Sequence, residues 1–193
     1  MYKIIGSVKM SQRVFLFCWL AYTVSYIGRI NYSATLTSLI QDIGITKSQA
    51  GLIGTAFFFC YGFGQFINGM IGDRVSQFKM ITTGLALAAV SNLAMSFCHS
   101  YRVMIVIWGF NGVFQSMLWS PLLSILSTKL QPELRFKACL YIATSTPAGT
   151  LLAYFISMLV LRNSIWAVVY RISGILLFLV AAVWLALTIR IPH

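Results

Sequence analysis

The sequence predicts an all-α membrane protein that crosses the bilayer six times, and three observations carry this. The 193 residues are 59% hydrophobic and only 9% charged, whereas a soluble domain devotes about a quarter of its residues to charge. Mean hydropathy is +0.85. The apolar residues also gather into six runs, near 14–39, 50–71, 80–97, 103–126, 138–161 and 165–189, each close to the roughly 20 residues that span the hydrocarbon core. The N-terminal basic residues and long first run resemble a secretion signal. That run is too long for a signal core, no small-residue cleavage site follows it, and it is read as an anchor. The chain is thus expected to form a single six-helix domain, 1–193, behind a short segment, 1–13, with the lipid bilayer as its solvent.

Orientation follows from the basic residues. Fourteen lysines and arginines stand against three acidic residues, a formal charge of +11. They lie singly at helix ends rather than in a patch, so loop orientation accounts for them and nucleic acid is not an implied partner. With the N-terminus inside, Lys3, Lys9, Arg13, Arg74, Lys79, Lys129, Arg135, Lys137 and Arg190 are cytoplasmic. The opposite side keeps Lys47, Arg102 and Arg162, with Arg171 near it. This asymmetry places both termini, including residues 1–13, in the cytoplasm.

The first run carries the chain's most costly residue. Arg29 sits inside it with no acidic residue in the run, and a charge at that depth must face protein or water. At helical spacing Tyr22, Tyr26, Arg29 and Ser33 share a face, flanked by Ser25 and Tyr32. The second run is rich in glycine (Gly51, Gly54, Gly62, Gly64, Gly69 and Gly72), which first suggests close helix packing. Its Tyr61, Gln65 and Asn68 share a face, as do Trp108, Asn111, Gln115 and Trp119 on the fourth. Asparagine and glutamine here are as readily interhelical ties as cavity lining.

In the fifth run, Pro147 within ATSTPAGT removes a backbone donor, and the neighbouring hydroxyls can satisfy freed carbonyls. An interrupted helix in mid-membrane is a pointer to a binding cavity. The four cysteines and two histidines are too scattered for a disulfide framework or metal site, and no cofactor is implied. Asp42, Asp73 and Glu133 all fall in loops or at helix ends, which leaves no mid-membrane carboxylate for a proton or cation relay. Neither a nucleophile with a base in reach nor an acid pair is found in the interior, which argues against an enzyme.

The stretch Gly69-Met70-Ile71-Gly72-Asp73-Arg74 resembles the loop signature between the second and third helices of the major facilitator superfamily. Pro132-Glu133-Leu134-Arg135 resembles that superfamily's loop after the fourth helix. Within it, YIGRIN (26–31), YGFGQFINGMIGDR (61–74) and GFNGVFQSMLWSP (109–121) are most similar to the organophosphate:phosphate antiporters, which carry glycerol phosphate or hexose phosphate. The resemblance implies the N-terminal half of that fold, two three-helix inverted repeats, in a bacterial plasma membrane.

It further implies alternating-access transport of a small organic anion, by antiport or facilitated diffusion, with Arg29 binding the anion. Tyr22, Tyr26, Ser33, Tyr61, Gln65, Asn111, Gln115 and Thr146 would line the cavity. Gly69, Asp73, Arg74, Arg135 and Pro147 would serve the conformational change. Gln65 replaces a lysine usual in that family and Thr146 a histidine, so a carboxylate or sugar acid suits the site as well as a phosphate ester. A second six-helix half, as a separate chain or a second copy, is the implied partner. The alternatives are a membrane sensor of a phosphorylated sugar, a kind of protein the same family contains, and an inactive truncated fragment.

Overall fold

The computed structural model describes residues 8–72 and 74–190, with side chains for 10–72 and 74–187. The described residues are almost wholly helical: α1 (Val8–Ile43), α2 (Lys47–Gly72), α3 (Gln77–Met95), α4 (Tyr101–Thr128), α5 (Pro132–Tyr141), α6 (Ser145–Leu161) and α7 (Trp166–Arg190). A three-residue 3₁₀ turn, Ile142–Thr144, joins α5 to α6. Five stretches are long and apolar enough to cross a membrane: α2, α3, α4, α5 with α6, and most of α7. The first helix, at 36 residues, would measure about 54 Å. It falls outside that set because Arg29, Asn31, three tyrosines and many hydroxyls dilute its apolar residues.

Local chemistry sets the ends. Gly44, at φ 72°, takes the left-handed conformation that stops α1. Thr46 and Gln49 then form a reciprocal capping box: the Gln49 amide donates to Thr46 Oγ1 at 3.2 Å, and the Thr46 amide to Gln49 Oε1 at 2.9 Å. Pro132 opens α5, where its missing N–H costs nothing. The interruption expected at Pro147 is present as the 3₁₀ turn just before it, where the Thr144 and Ser145 hydroxyls donate to the Tyr141 and Ile142 carbonyls.

The helices adjoin in the order α6, α1, α7, α3, α4, α2, an open curve rather than a closed ring. The most extensive packing is between α2 and α4, whereas α1 touches α2, α3 and α4 only lightly. Small residues permit the closest approaches. A Cβ at Gly112 would meet the Phe57 carbonyl and the Tyr61 amide, one at Gly149 the Thr23 carbonyl, and one at Gly84 the Phe114 carbonyl. The glycines of α2 divide: Gly64 lies against Ser116 and Val113 of α4, but Gly51, Gly62 and Gly69 have nothing within 4 Å. Close packing within this chain thus explains only part of that run.

Two apolar clusters fill the bundle. One joins Val14, Cys18, Ile81, Leu85, Leu122 and Trp184, and therefore the start of α1 to the end of α7. The other joins Leu39, Ile53, Phe57, Met104, Trp108 and Tyr170. Between them lies a layer of buried polar side chains that includes Asn31, Asn92, Asn111, Gln115, Ser116 and Ser173. Of these, Gln115 accepts from Arg29 Nη2, and Asn111 donates to the carbonyl of Gly28, the residue before Arg29.

Gly112→Val is expected to lower the stability of the detergent-solubilised chain by about 1–3 kcal/mol, because backbone rather than a flexible side chain meets the new Cβ. Gly62→Val, on the open face, should leave the melting temperature of the chain alone unchanged. Thermal melting followed by size-exclusion fluorescence checks both.

Candidate functional site

Arg29 reaches from α1 toward α2 and α4. Its guanidinium carbon lies 4.4 Å from the centre of the Tyr61 ring, 4.6 Å from Tyr26 and 5.6 Å from Phe57. Three ring faces offer a cation a favourable quadrupole but no lone pair. Its side-chain hydrogen-bond partner among the described residues is Gln115 Oε1, to which Nη2 donates over a long 3.4 Å. Arg29 Nε is buried with no hydrogen-bond partner, and so is Gln115 Nε2. Two buried donors from adjoining side chains thus stand unmatched where unpaired polar groups are rare. Arg29, Tyr26, Tyr61 and Gln115 come together as the sequence suggests. Phe57 joins them unannounced, although its place four residues before Tyr61 put it on the same helical face.

The other candidates are less central. Tyr22 is buried against Tyr26 and Trp119, with ring centroids 5.3 and 4.9 Å away. Gln65 Nε2 donates to the Tyr61 hydroxyl at 2.8 Å and so steadies that ring at the edge of the cluster. Asn68, on the same face, turns to α4 and donates to Ser116 Oγ at 2.7 Å, an interhelical tie. Asn111 is fully buried, and its amide donates to the Gly28 carbonyl at 3.2 Å. Ser33 is exposed in a groove of about 690 Å³ between α1 and α2, with Thr37, Lys47 and Thr55. Thr146, half-buried near the start of α6, has no hydrogen bond to the Arg29 cluster.

Of the residues assigned to conformational change, Asp73 lies outside the described residues. Arg74 is exposed, and Gly69 has open space beside it. Arg135, one turn into α5, donates from Nε to the Leu130 carbonyl at 2.9 Å and from Nη2 to the Thr128 carbonyl at 3.2 Å. It thereby ties down the end of α4, where a cation also suits the helix dipole. Pro147 is exposed, beside the helix interruption.

Comparisons with known proteins bear on the family and the fold. The chain is 28% identical over 116 residues to a probable hexose phosphate transport protein of Chlamydia trachomatis, a match covering 60% of this chain and 25% of that protein. It is 32% identical over 117 residues to the glycerol-3-phosphate transporter of Bacillus subtilis, 58% of this chain and 26% of that one. The membrane sensor protein UhpC of Escherichia coli is 28% identical over 104 residues, 54% of this chain and 24% of that protein. The matches thus span about a quarter of the curated relatives' length. The crystal structure of a bacterial homolog of the human lysosomal transporter Spinster, inward-facing and unoccupied, superposes with a TM-score of 0.86 at 18% identity, over 94% of this chain and 43% of that one. The pattern of the Major Facilitator Superfamily matches residues 18–193. A multi-pass membrane protein with one arginine among aromatic rings and amides at mid-bundle, the chain belongs to the Major Facilitator Superfamily.

Proposed function

We propose that the chain forms the substrate-binding N-terminal half of a carrier for a small organic anion, with Arg29 as the anion anchor. The observation that carries this is the pair of buried donors, Arg29 Nε and Gln115 Nε2, that have no hydrogen-bond partner among the described residues, while the Arg29 guanidinium makes one long hydrogen bond to Gln115. A phosphate or carboxylate oxygen supplies the missing lone pairs, and the planar guanidinium fork matches such groups. The relatives named for hexose phosphate and glycerol-3-phosphate favour a phosphorylated substrate. In this reading α1 crosses the membrane as the first of six spans despite its polarity, with both termini in the cytoplasm of a bacterial cell and residues 1–193 one domain.

The partner in this reading is a second six-helix half, separate or a second copy. Gly51, Gly62 and Gly69 of α2, open within this chain, offer a face on which another helix can approach closely. The two halves rock about Arg29, the sequence segment of Asp73 and Arg74 that follows Gly69 clasps the inward-facing side, and exchange or facilitated diffusion needs no mid-membrane carboxylate. A second reading, a membrane sensor that binds a phosphorylated sugar without moving it, is favoured by the likeness to UhpC. A ligand that binds but never crosses reconstituted vesicles would select it.

The test is a thermal-shift titration of the purified chain with inorganic phosphate, glycerol phosphate, glucose 6-phosphate and a carboxylate. Arg29→Lys keeps the charge but loses the fork, and should weaken the preferred anion at least about tenfold. Arg29→Met should abolish the anion-dependent shift while the anion-free melting temperature stays equal or rises, because an unmatched buried charge costs stability. A large fall in anion-free melting temperature, with anion response retained, would show that Arg29 only holds helices together. Gly62→Phe should impair assembly with a second half, or with a second copy, in detergent mass measurements, at an unchanged melting temperature for the single chain.

A further inference from the structure

The position of Arg29 raises a mechanical question, because α1 packs chiefly against α6 and α7 and only lightly against the helices that complete the site. Apolar packing is non-directional. It resists separation of helices more than a small rotation about their axes. The directional contacts that fix α1 against α3 and α4 are hydrogen bonds, and two converge on the residue just before Arg29. The Gly28 carbonyl accepts from Asn92 Nδ2 of α3 at 3.1 Å and from Asn111 Nδ2 of α4 at 3.2 Å. Asn92 Nδ2 also donates to its own helix at the Ala88 carbonyl, 2.9 Å away, and Asn92 Oδ1 accepts from Asn31 Nδ2 at 2.7 Å. All three asparagines are fully buried. Gly28 makes the arrangement possible, since a Cβ there would meet Leu177 and the Asn92 amide.

We propose that Asn92 and Asn111 are positioning residues for Arg29, clamping the Gly28 carbonyl so that α1 is held at the rotation that aims the guanidinium at Tyr61 and Gln115. The proposal rests on Arg29 being the anion anchor. Asn92 is assigned no part by the sequence motifs, and Asn111 acts through α1 rather than on the substrate. Its donor is committed to Gly28, and the oxygen left over, Oδ1, is a buried acceptor without a partner. Asn31 Oδ1 is likewise buried without a partner. A layer that leaves acceptors unmatched is not arranged for stability alone, because buried polar groups cost free energy unless paired. What the amides provide is direction, which apolar side chains of the same size lack. Small displacements matter at such a site, since functional groups must be held within about 0.5 Å of their working geometry.

The experiment compares Asn92→Leu, Asn31→Leu and the double variant Asn31→Leu/Asn92→Leu in the full chain. It reads melting temperature, binding of inorganic phosphate and glucose 6-phosphate by calorimetry, and the reaction rate of an Arg29→Cys thiol with an anionic methanethiosulfonate. The thiol measurement uses a background in which the four native cysteines are alanine. Asn92→Leu strands the Asn31 donor and should melt at a lower temperature; the double variant removes both partners and should recover most of that loss. Anion binding should nevertheless stay about tenfold or more weaker in both variants that lack Asn92, and the thiol rate should differ several-fold from the parent. Asn31→Leu, which keeps the Gly28 clamp, should bind nearly as well as the parent. Binding that recovers together with melting temperature, or a thiol rate that Asn92→Leu leaves unchanged, would overturn the proposal. If the parent chain binds phosphate no better than Arg29→Met does, the anion-anchor reading fails by itself, while the thiol rates still decide whether the amides position residue 29.

Discussion

A guanidinium held among apolar helices has to be accommodated by its neighbours, and the middle of this bundle is organised by that requirement. Three aromatic faces surround Arg29. They stabilise its charge without consuming its N–H groups, so the residue is tolerated and its donors remain available. A carboxylate at the same place would have closed the site by neutralising it. Gln115 instead offers one distant oxygen and keeps a second donor unmatched. The combination accommodates the charge yet leaves buried donors without acceptors among the described residues.

Beside two apolar clusters, the buried amides Asn31, Asn92, Asn111 and Gln115 gather about Gly28 and Arg29. The α2–α4 pair is the most closely built part of the described structure, because Gly64 and Gly112 let the backbones meet and Asn68 pins α2 to Ser116. Against this unit and α3, α1 is held by a few directional contacts, among them the Tyr32 hydroxyl donating to the Ala50 carbonyl at 2.6 Å and the amides around Gly28. The proposed anion site thus lies where a firmly built pair faces a helix whose orientation depends on hydrogen bonds. In the proposed carrier, that division of labour would suit a site that keeps its shape while two halves move around it.

Much of this was legible in the residues. The apolar runs located the helices, and the composition set the solvent. Arg29 announced itself by its cost, and Pro147 by its missing donor. Periodicity put Tyr61 and Gln65 on one face and Asn111 and Gln115 on another. It could not tell which amides were ties and which lined the cavity: Asn68 and Asn111 share faces with site residues yet spend their donors on Ser116 and on the Gly28 carbonyl. Asn92 was invisible because a lone asparagine in an apolar run has the same signature whether it braces a neighbour or merely packs.

What the sequence by itself determined is the membrane setting, the approximate position of the helices and the presence of one unmatched cation, since hydropathy and charge are properties summed along a single segment. What only the tertiary structure decided is which rings and amides meet that cation, which glycines are filled by a neighbour and which stay open, and how α1 is turned toward α2 and α4. These depend on angles and distances between helices far apart in the chain. An isolated helix has a periodic face, but nothing in it specifies what that face will meet.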